Sequence, residues 1–226
     1  MIKHAFQQYE RISELTFIET DNWNLADIEI VRENVNPMNQ KIVGSSYGPS
    51  FYGAEVKIYT GAYKSNSYSN YPKGGYIGGW DYATFIHEIG HFFFPMIVNS
   101  DERQWAWMDE GINTYVQYLT EQEFGKKYPE IIYPYKNFPS DRGPAEMIVD
   151  YMSVDQNYLA PIMSNPENVY SLGPNAYGKP ATALNILRET IMGRELFDYA
   201  FKKYSNRWKF KHPTPEDFFR TMEDAS

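Results

Sequence analysis

The amino-acid sequence predicts an α+β fold, in which a small mixed sheet is followed by a mostly helical part. Short segments that alternate apolar and polar residues occur before residue 61, as in half-buried strands. From residue 81 onward the apolar residues recur every three or four positions, as on one face of a helix. Mixed strands followed by helices are the element order of an α+β protein.

The individual elements follow from these patterns in chain order. The N-terminal part predicts a helix over 2–15 and strands over 26–31, 40–45 and 55–60, followed by a long Gly/Ser/Asn/Tyr-rich loop over 61–79. Further helices are predicted over 81–94, 107–124, 145–152, 176–192 and 195–204, with a proline-rich connection over 129–144. The last helix begins at Thr214, because a capping threonine there is followed by proline and two acidic residues.

Composition excludes several classes of function. The chain of 226 residues carries 21 basic and 29 acidic side chains, so its net charge of −8 argues against a nucleic-acid partner. No apolar run reaches the ~18 residues of a membrane span, and the first residues do not resemble a signal peptide. Because there is no cysteine, a transition-metal site must be built from histidine and carboxylate ligands.

The segment His87-Glu88-Ile89-Gly90-His91 is the strongest chemical signal in the sequence. Histidines four residues apart lie on the same face of a helix, so both imidazoles can bind one metal ion. Glu88 lies beside that face and can act as a general base toward a metal-bound water. A catalytic zinc site usually has three protein ligands, and we expect the third to be a carboxylate on a nearby helix.

Three motifs resemble the aminopeptidase N / leukotriene hydrolase family of gluzincin zinc metallopeptidases. The first is the His-Glu-x-x-His segment followed, after 18 residues, by Glu110-Gly111 with Trp107 before them. The second is Tyr177-Gly178-Lys179-Pro180, which is similar to the family's Tyr-x-Lys-Gly segment at the start of a helix. A third and weaker match is the segment over 210–218, which is similar to the family's last helix-opening segment.

The resemblance implies a thermolysin-like catalytic domain that hydrolyses peptide or protein substrates with one zinc ion. It implies that His87, His91 and Glu110 bind the zinc, that Glu88 is the general base, and that Tyr177 stabilises the oxyanion. We expect residues 1–226 to form this domain, with a mixed α/β part over about 1–125 and a helical part over about 126–226. The family's architecture also implies flanking domains in a longer parent protein. The sequence does not predict the compartment, although a fragment of such a protein is compatible with an extracytoplasmic location.

Departures from the family pattern bear on specificity and on ligand support. The family's amine-binding Gly-x-Met-Glu-Asn motif is replaced by Gly53-Ala54-Glu55-Val56, so Glu55 is the candidate for binding a free α-amino group. Pro95 removes the hydrogen bond that the His91 carbonyl would accept from residue 95, which predicts a kink or helix end there. Gln117 and Asp109 stand where the family commonly carries Glu and Asn, so the support of the metal ligands is expected to differ.

Two alternatives to an aminopeptidase remain open from the sequence. One is an endopeptidase without specificity for a free amine, which would make Glu55 irrelevant to binding. The other is a binding module with a vestigial zinc site, in which the aromatic residues of 61–80 form the contact surface. The complete set of ligand, base and tyrosine residues argues against decay of the site.

Overall fold

The fold is known from a computed structural model, which describes residues 28–33, 44–50, 53–59, 79–129 and 144–225. The first three ranges are described as backbone only. They are the strands β1 (Ile28–Glu33), β2 (Gly44–Ser50) and β3 (Gly53–Tyr59), paired in the order β1-β3-β2. Strand β1 is parallel to β3 and β2 is antiparallel to it, and Glu55 lies opposite Tyr47 of β2.

Six α-helices and several short helical turns make up most of the rest of the described chain. The α-helices are α1 (Gly79–Gly90), α2 (Ile112–Lys127), α3 (Val149–Met152), α4 (Lys179–Ile186), α5 (Arg194–Trp208) and α6 (Pro215–Glu223). Wider, π-helical turns occur at Phe92–Ile97, Trp107–Gly111, Pro174–Gly178 and Leu187–Ile191. Three 3₁₀ turns lie at Ala145–Ile148, Gln156–Tyr158 and Pro166–Asn168.

The predicted α+β class is wrong for the body of the molecule. Residues 79–129 and 144–225 are 73% helical and contain no strand; their β pairing is limited to an isolated bridge between Val98 and Lys211. The buried core described there is formed by residues of helices and of their connections. The alternating segments that suggested a mixed sheet all precede residue 61, where the structure describes only the backbone of three strands.

The sequence places the helices of this body well. The predicted helices over 107–124 and 195–204 correspond to Trp107–Lys127 and to α5, with ends that differ by a few residues. Helix α6 begins after Thr214 with a capping box, in which Thr214 N donates to Asp217 Oδ2 and Asp217 N donates back to Thr214 Oγ1. The predicted helix over 2–15, and most of the 61–79 loop and the 129–144 connection, lie outside the described residues.

Helix α2 is the central element of the core. It packs against α1 on one side and α4 on another, and Tyr115 meets Phe197 of α5 with ring centroids 5.6 Å apart. Phe218 of α6 closes the far end against Trp107 and Tyr204. These buried aromatic rings fix the position of α2 in the core. Among the described residues, no helix combines the length and the apolarity needed to span a bilayer.

Candidate metal centre

His87 and His91 lie one helical turn apart where α1 ends. The backbone N–H of His91 donates to the carbonyl oxygen of His87 at 3.3 Å, so the turn that joins them is regular. Their rings are perpendicular, with centroids 4.7 Å apart, and their side chains are only 11% and 13% exposed. The sequence prediction that both imidazoles share one face of a helix agrees with this geometry.

A kink directly after His91 orients its imidazole. Pro95 has no N–H, and the His91 carbonyl instead accepts from Met96 N at 3.1 Å, which produces the wide turn. Phe94 leaves the helical conformation, with φ −118° and ψ 107°, and its carbonyl oxygen accepts a hydrogen bond from His91 Nδ1 at 3.1 Å. Asp109 Oδ1 lies 2.9 Å from the same nitrogen. The predicted kink at Pro95 is therefore confirmed, and Nε2 of His91 is left to face the site.

His87 is oriented by α2. Its Nδ1 donates to Gln117 Oε1 at 2.9 Å, and Asn113 Nδ2 donates to its backbone carbonyl oxygen at 2.7 Å. Both partners lie on the buried face of α2. With Nδ1 bonded to Gln117, the Nε2 of His87 faces Glu110, in the same way as Nε2 of His91 does.

Glu110 completes a three-residue donor set. It is carried by the wide turn Trp107–Gly111, which is anchored by the buried side chains of Trp107 and Met108. Glu110 Oε2 lies 2.9 Å from His87 Nε2 and 3.3 Å from His91 Nε2, and the three ligand atoms all lie within 4.8 Å of one another. Ligand atoms of a tetrahedral zinc site lie about 3.3 Å apart, so the donor set and its spacing fit a zinc ion.

The charges of His91, Asp109 and Glu110 act on one another at close range. Burial disfavours the charged form of His91, but hydrogen bonds and the charges of Asp109 and Glu110 outweigh burial and raise the pKa of His91 well above its ordinary value. Burial likewise opposes ionisation of Glu110, yet the two histidines hold the pKa of this carboxyl far below its usual range. Burial raises the pKa of Asp109 to about 6, despite the neighbouring His91. The site therefore stabilises a cation next to an ionised Glu110.

Tyr177 approaches this centre from a third segment. The wide turn Pro174–Gly178 carries it, and its ring stacks on that of His87 with centroids 5.7 Å apart and planes inclined by 21°. This turn packs closely against the Glu110 turn, since a Cβ on Gly111 would lie 2.9 Å from the Ala176 carbonyl oxygen. The structure thus brings Tyr177 to the His/His/Glu cluster, 67 residues after Glu110 in the sequence.

The remaining candidates are placed less completely. Glu88 lies on α1 directly after His87 and is half-buried. Glu55 lies on β3, which runs beside α1, but its side chain is outside the described part of the molecule.

Sequence reasoning missed the partners that orient the histidines. These are the Phe94 carbonyl, Asn113 and, behind Gln117, the buried Glu121. A signal for the last two was present, because polar residues recur every three or four positions along the buried face of α2 and the turn before it, at Glu110, Asn113, Gln117 and Glu121. The Phe94 carbonyl has no signal in side-chain identity.

Comparisons with known proteins find similar chains among aminopeptidases and a zinc metallopeptidase. A curated relative, the mitochondrial aminopeptidase 2 of Saccharomyces cerevisiae, is 22% identical over 62% of this chain and 14% of its own length. The glutamyl aminopeptidase of Bos taurus is 26% identical over 64% of this chain and 14% of its own length. A mutant M1 zinc metallopeptidase from Deinococcus radiodurans, solved by crystallography, superposes with a TM-score of 0.48 at 18% identity, over 63% of this chain and 29% of that one.

The matched region is a small part of these larger proteins, since the chain spans about one seventh of the first curated relatives. The match at the level of the family covers most of the chain. Residues 81–226 match the peptidase family M1 domain, and this range holds His87, His91, Glu110 and Tyr177. The chain therefore belongs to peptidase family M1, as the motifs in its sequence indicated.

Proposed function

We propose that this protein is a zinc-dependent peptidase that hydrolyses peptide bonds in an aminopeptidase-like manner. The observation that carries the proposal is the convergence of His87 Nε2, His91 Nε2 and Glu110 Oε2 next to the Tyr177 ring. Membership of peptidase family M1 supports hydrolysis of a peptide or protein substrate. The names of the curated relatives, which are aminopeptidases, support action at a free amino terminus.

In this proposal each side chain has a distinct role. A zinc ion held by His87, His91 and Glu110 supplies Lewis-acid activation of water and of the scissile carbonyl. Glu88 takes a proton from the attacking water and passes it to the leaving amine. Tyr177 donates a hydrogen bond to the oxyanion that develops on the carbonyl oxygen. The stacking of the Tyr177 ring on His87 supports this role, because it puts the tyrosine beside the proposed zinc ligands.

The deciding experiment removes the proton carrier and keeps the metal ligands. Glu88→Gln retains the size of the side chain but cannot accept a proton, so hydrolysis of an aminoacyl reporter should be lost while the zinc content stays that of the wild type. Zinc is counted by elemental analysis, and chelator treatment of the wild type serves as the matched loss of metal. Full, chelator-sensitive activity in the Glu88→Gln variant would refute the mechanism. A wild type that holds zinc and cleaves no peptide would favour the binding module.

Glu55 is the residue we propose to bind the free amine of the substrate. The support is its position on β3, which runs beside the helix that carries His87. Removing the carboxylate in Glu55→Ala should raise KM for substrates with a free amino terminus and leave hydrolysis of N-acetylated peptides unchanged. Cleavage of acetylated peptides by the wild type as efficiently as of free peptides would instead identify an endopeptidase.

A further inference from the structure

A fully buried carboxylate lies behind the metal centre. Glu121 on α2 has a relative exposure of 0%, and its Oε1 accepts a hydrogen bond from Gln117 Nε2 at 2.6 Å. Burying a carboxylate without a hydrogen bond costs free energy, so the hydrogen bond from Gln117 helps to stabilise Glu121 in the core. Gln117 in turn accepts from His87 Nδ1. These two hydrogen bonds form a relay from Glu121 through Gln117 to the proposed zinc ligand His87.

The Gln117 amide gives the hydrogen bonds of this relay a fixed direction. A glutamine side chain has one donor group and one acceptor group, and here Gln117 Nε2 donates to the carboxyl oxygen Oε1 of Glu121. Glu121 therefore holds the Nε2 end of Gln117, and the Oε1 end must face His87. Only a protonated Nδ1 can donate to that oxygen, so Nε2 is the nitrogen left to bind a metal.

We propose that Glu121 is a positioning residue for the metal centre, which fixes the orientation and tautomer of His87 through Gln117. The proposal rests on the zinc site proposed above and adds to it a residue that touches neither metal nor substrate. Direct hydrogen-bond partners of a metal ligand typically change metal affinity by about 10–100-fold when they are removed, and Glu121 acts through such a partner, Gln117. Asn113 holds the His87 backbone independently, so loss of the relay should leave the backbone of α1 in place.

The test is the affinity for Zn²⁺ itself, measured by competition with a chromophoric chelator. Glu121→Met has a similar length and removes the acceptor, so the Gln117 amide can turn over and present its NH₂ to His87. We expect zinc affinity to fall about 10–100-fold. In the zinc-loaded protein, the ¹H–¹⁵N signal of His87 Nδ1–H should be present in the wild type and lost or exchange-broadened in the variant.

Two controls separate positioning from a general loss of stability. Thr120→Val changes the adjacent residue, which is 2% exposed and donates to the Val116 carbonyl, outside the relay. It should keep wild-type zinc affinity. Glu121→Gln keeps a carbonyl acceptor for Gln117. It should therefore keep most of the wild-type zinc affinity and the His87 Nδ1–H signal, which Glu121→Met loses.

A double variant keeps the proposal testable if Glu121→Met does not fold. Replacing both partners with apolar residues of similar shape removes the buried carboxylate together with its Gln117 donor, so Gln117→Met with Glu121→Met should fold. It should still show the 10–100-fold loss of zinc affinity, because His87 Nδ1 has lost its acceptor.

Several outcomes would overturn the relay. Wild-type zinc affinity in Glu121→Met or in the folded double variant would do so, as would an equal loss of affinity in Thr120→Val. These results would leave the proposed peptidase function standing wherever the wild type still hydrolyses peptides. The peptidase activity would be overturned, and the relay supported, by a different result. In that case the wild type binds zinc but hydrolyses no peptide, and the Glu121→Met variant still shows the loss of zinc affinity.

Discussion

Gly111 is the point of closest approach between the Glu110 turn and the segment that carries Tyr177. A Cβ on Gly111 would lie 2.4 Å from Pro180 Cγ, 2.7 Å from Pro180 Cβ and 2.9 Å from the Ala176 carbonyl oxygen. A proline ring and a backbone carbonyl cannot swing aside as the end of a long side chain can. The backbone of Gly111 is helical, with φ −73° and ψ −45°, so contact distance alone requires glycine here.

The size of the effect of Gly111→Ala follows from these distances. Ordinary van der Waals contact begins at 3.4 Å, so the segment from 174 to 180 must retreat by about 1 Å. Overpacking of this kind costs about 1–3 kcal/mol of stability. The retreat carries Tyr177 away from its position over His87, and a misplacement of 1 Å at a reacting centre can cost about 100-fold in rate. We expect kcat to fall by about this factor, with zinc content unchanged.

Gly178 provides a matched control on the same segment. A Cβ there would meet only Ile148 Cδ1, at 3.8 Å, and its backbone is also helical. Gly178→Ala should therefore keep wild-type kcat and gain up to about 1 kcal/mol from helix propensity. Steady-state kinetics on an aminoacyl reporter, urea unfolding and zinc analysis would be run on both variants. Unchanged kcat in Gly111→Ala, or an equal loss in Gly178→Ala, would refute the reasoning.

Three further predictions concern single groups. Glu110→Ala should lose zinc on dialysis, because two imidazoles alone remain to hold it; an unchanged zinc content by elemental analysis would reject Glu110 as a ligand. Tyr177→Phe should lower kcat by about 10²–10³-fold with zinc retained and KM little changed, and wild-type kcat would exclude the oxyanion role. Thr214→Ala removes the cap of α6 and should lower the free energy of unfolding in urea by about 1 kcal/mol without affecting kcat.

The site could be predicted from the sequence where its geometry is local. The four-residue spacing of His87 and His91 fixes a shared helical face, and the missing N–H of Pro95 dictates the kink that follows. Glu110 and Tyr177 are different, because nothing in the chain between them and the histidines specifies their approach. They were identified by resemblance to a family, and the three-dimensional contact at Gly111 supplies the physical reason for that approach.

The prediction of an α+β fold was wrong for a physical reason. Alternation of apolar and polar residues detects a half-buried strand, but it does not report which elements bury the main core. That core is closed by α2, α5 and α6 through aromatic contacts such as Tyr115–Phe197, which join residues 82 positions apart. Pairings at such separations depend on tertiary packing, and periodicity within a short window carries no information about them.

Helix α2 and the turn before it couple the stability of the core to the metal site. They supply Glu110, the Gln117 and Asn113 contacts to His87, and the close approach at Gly111. The opposite side of the same helix is fixed by buried rings such as Tyr115. A rigid helix cannot move one of these groups without moving the others. A cavity in the core beside α2 would therefore displace Glu110 together with Gln117 and Asn113. A core substitution such as Phe197→Ala should therefore weaken zinc binding, although Phe197 makes no contact with the ligands themselves.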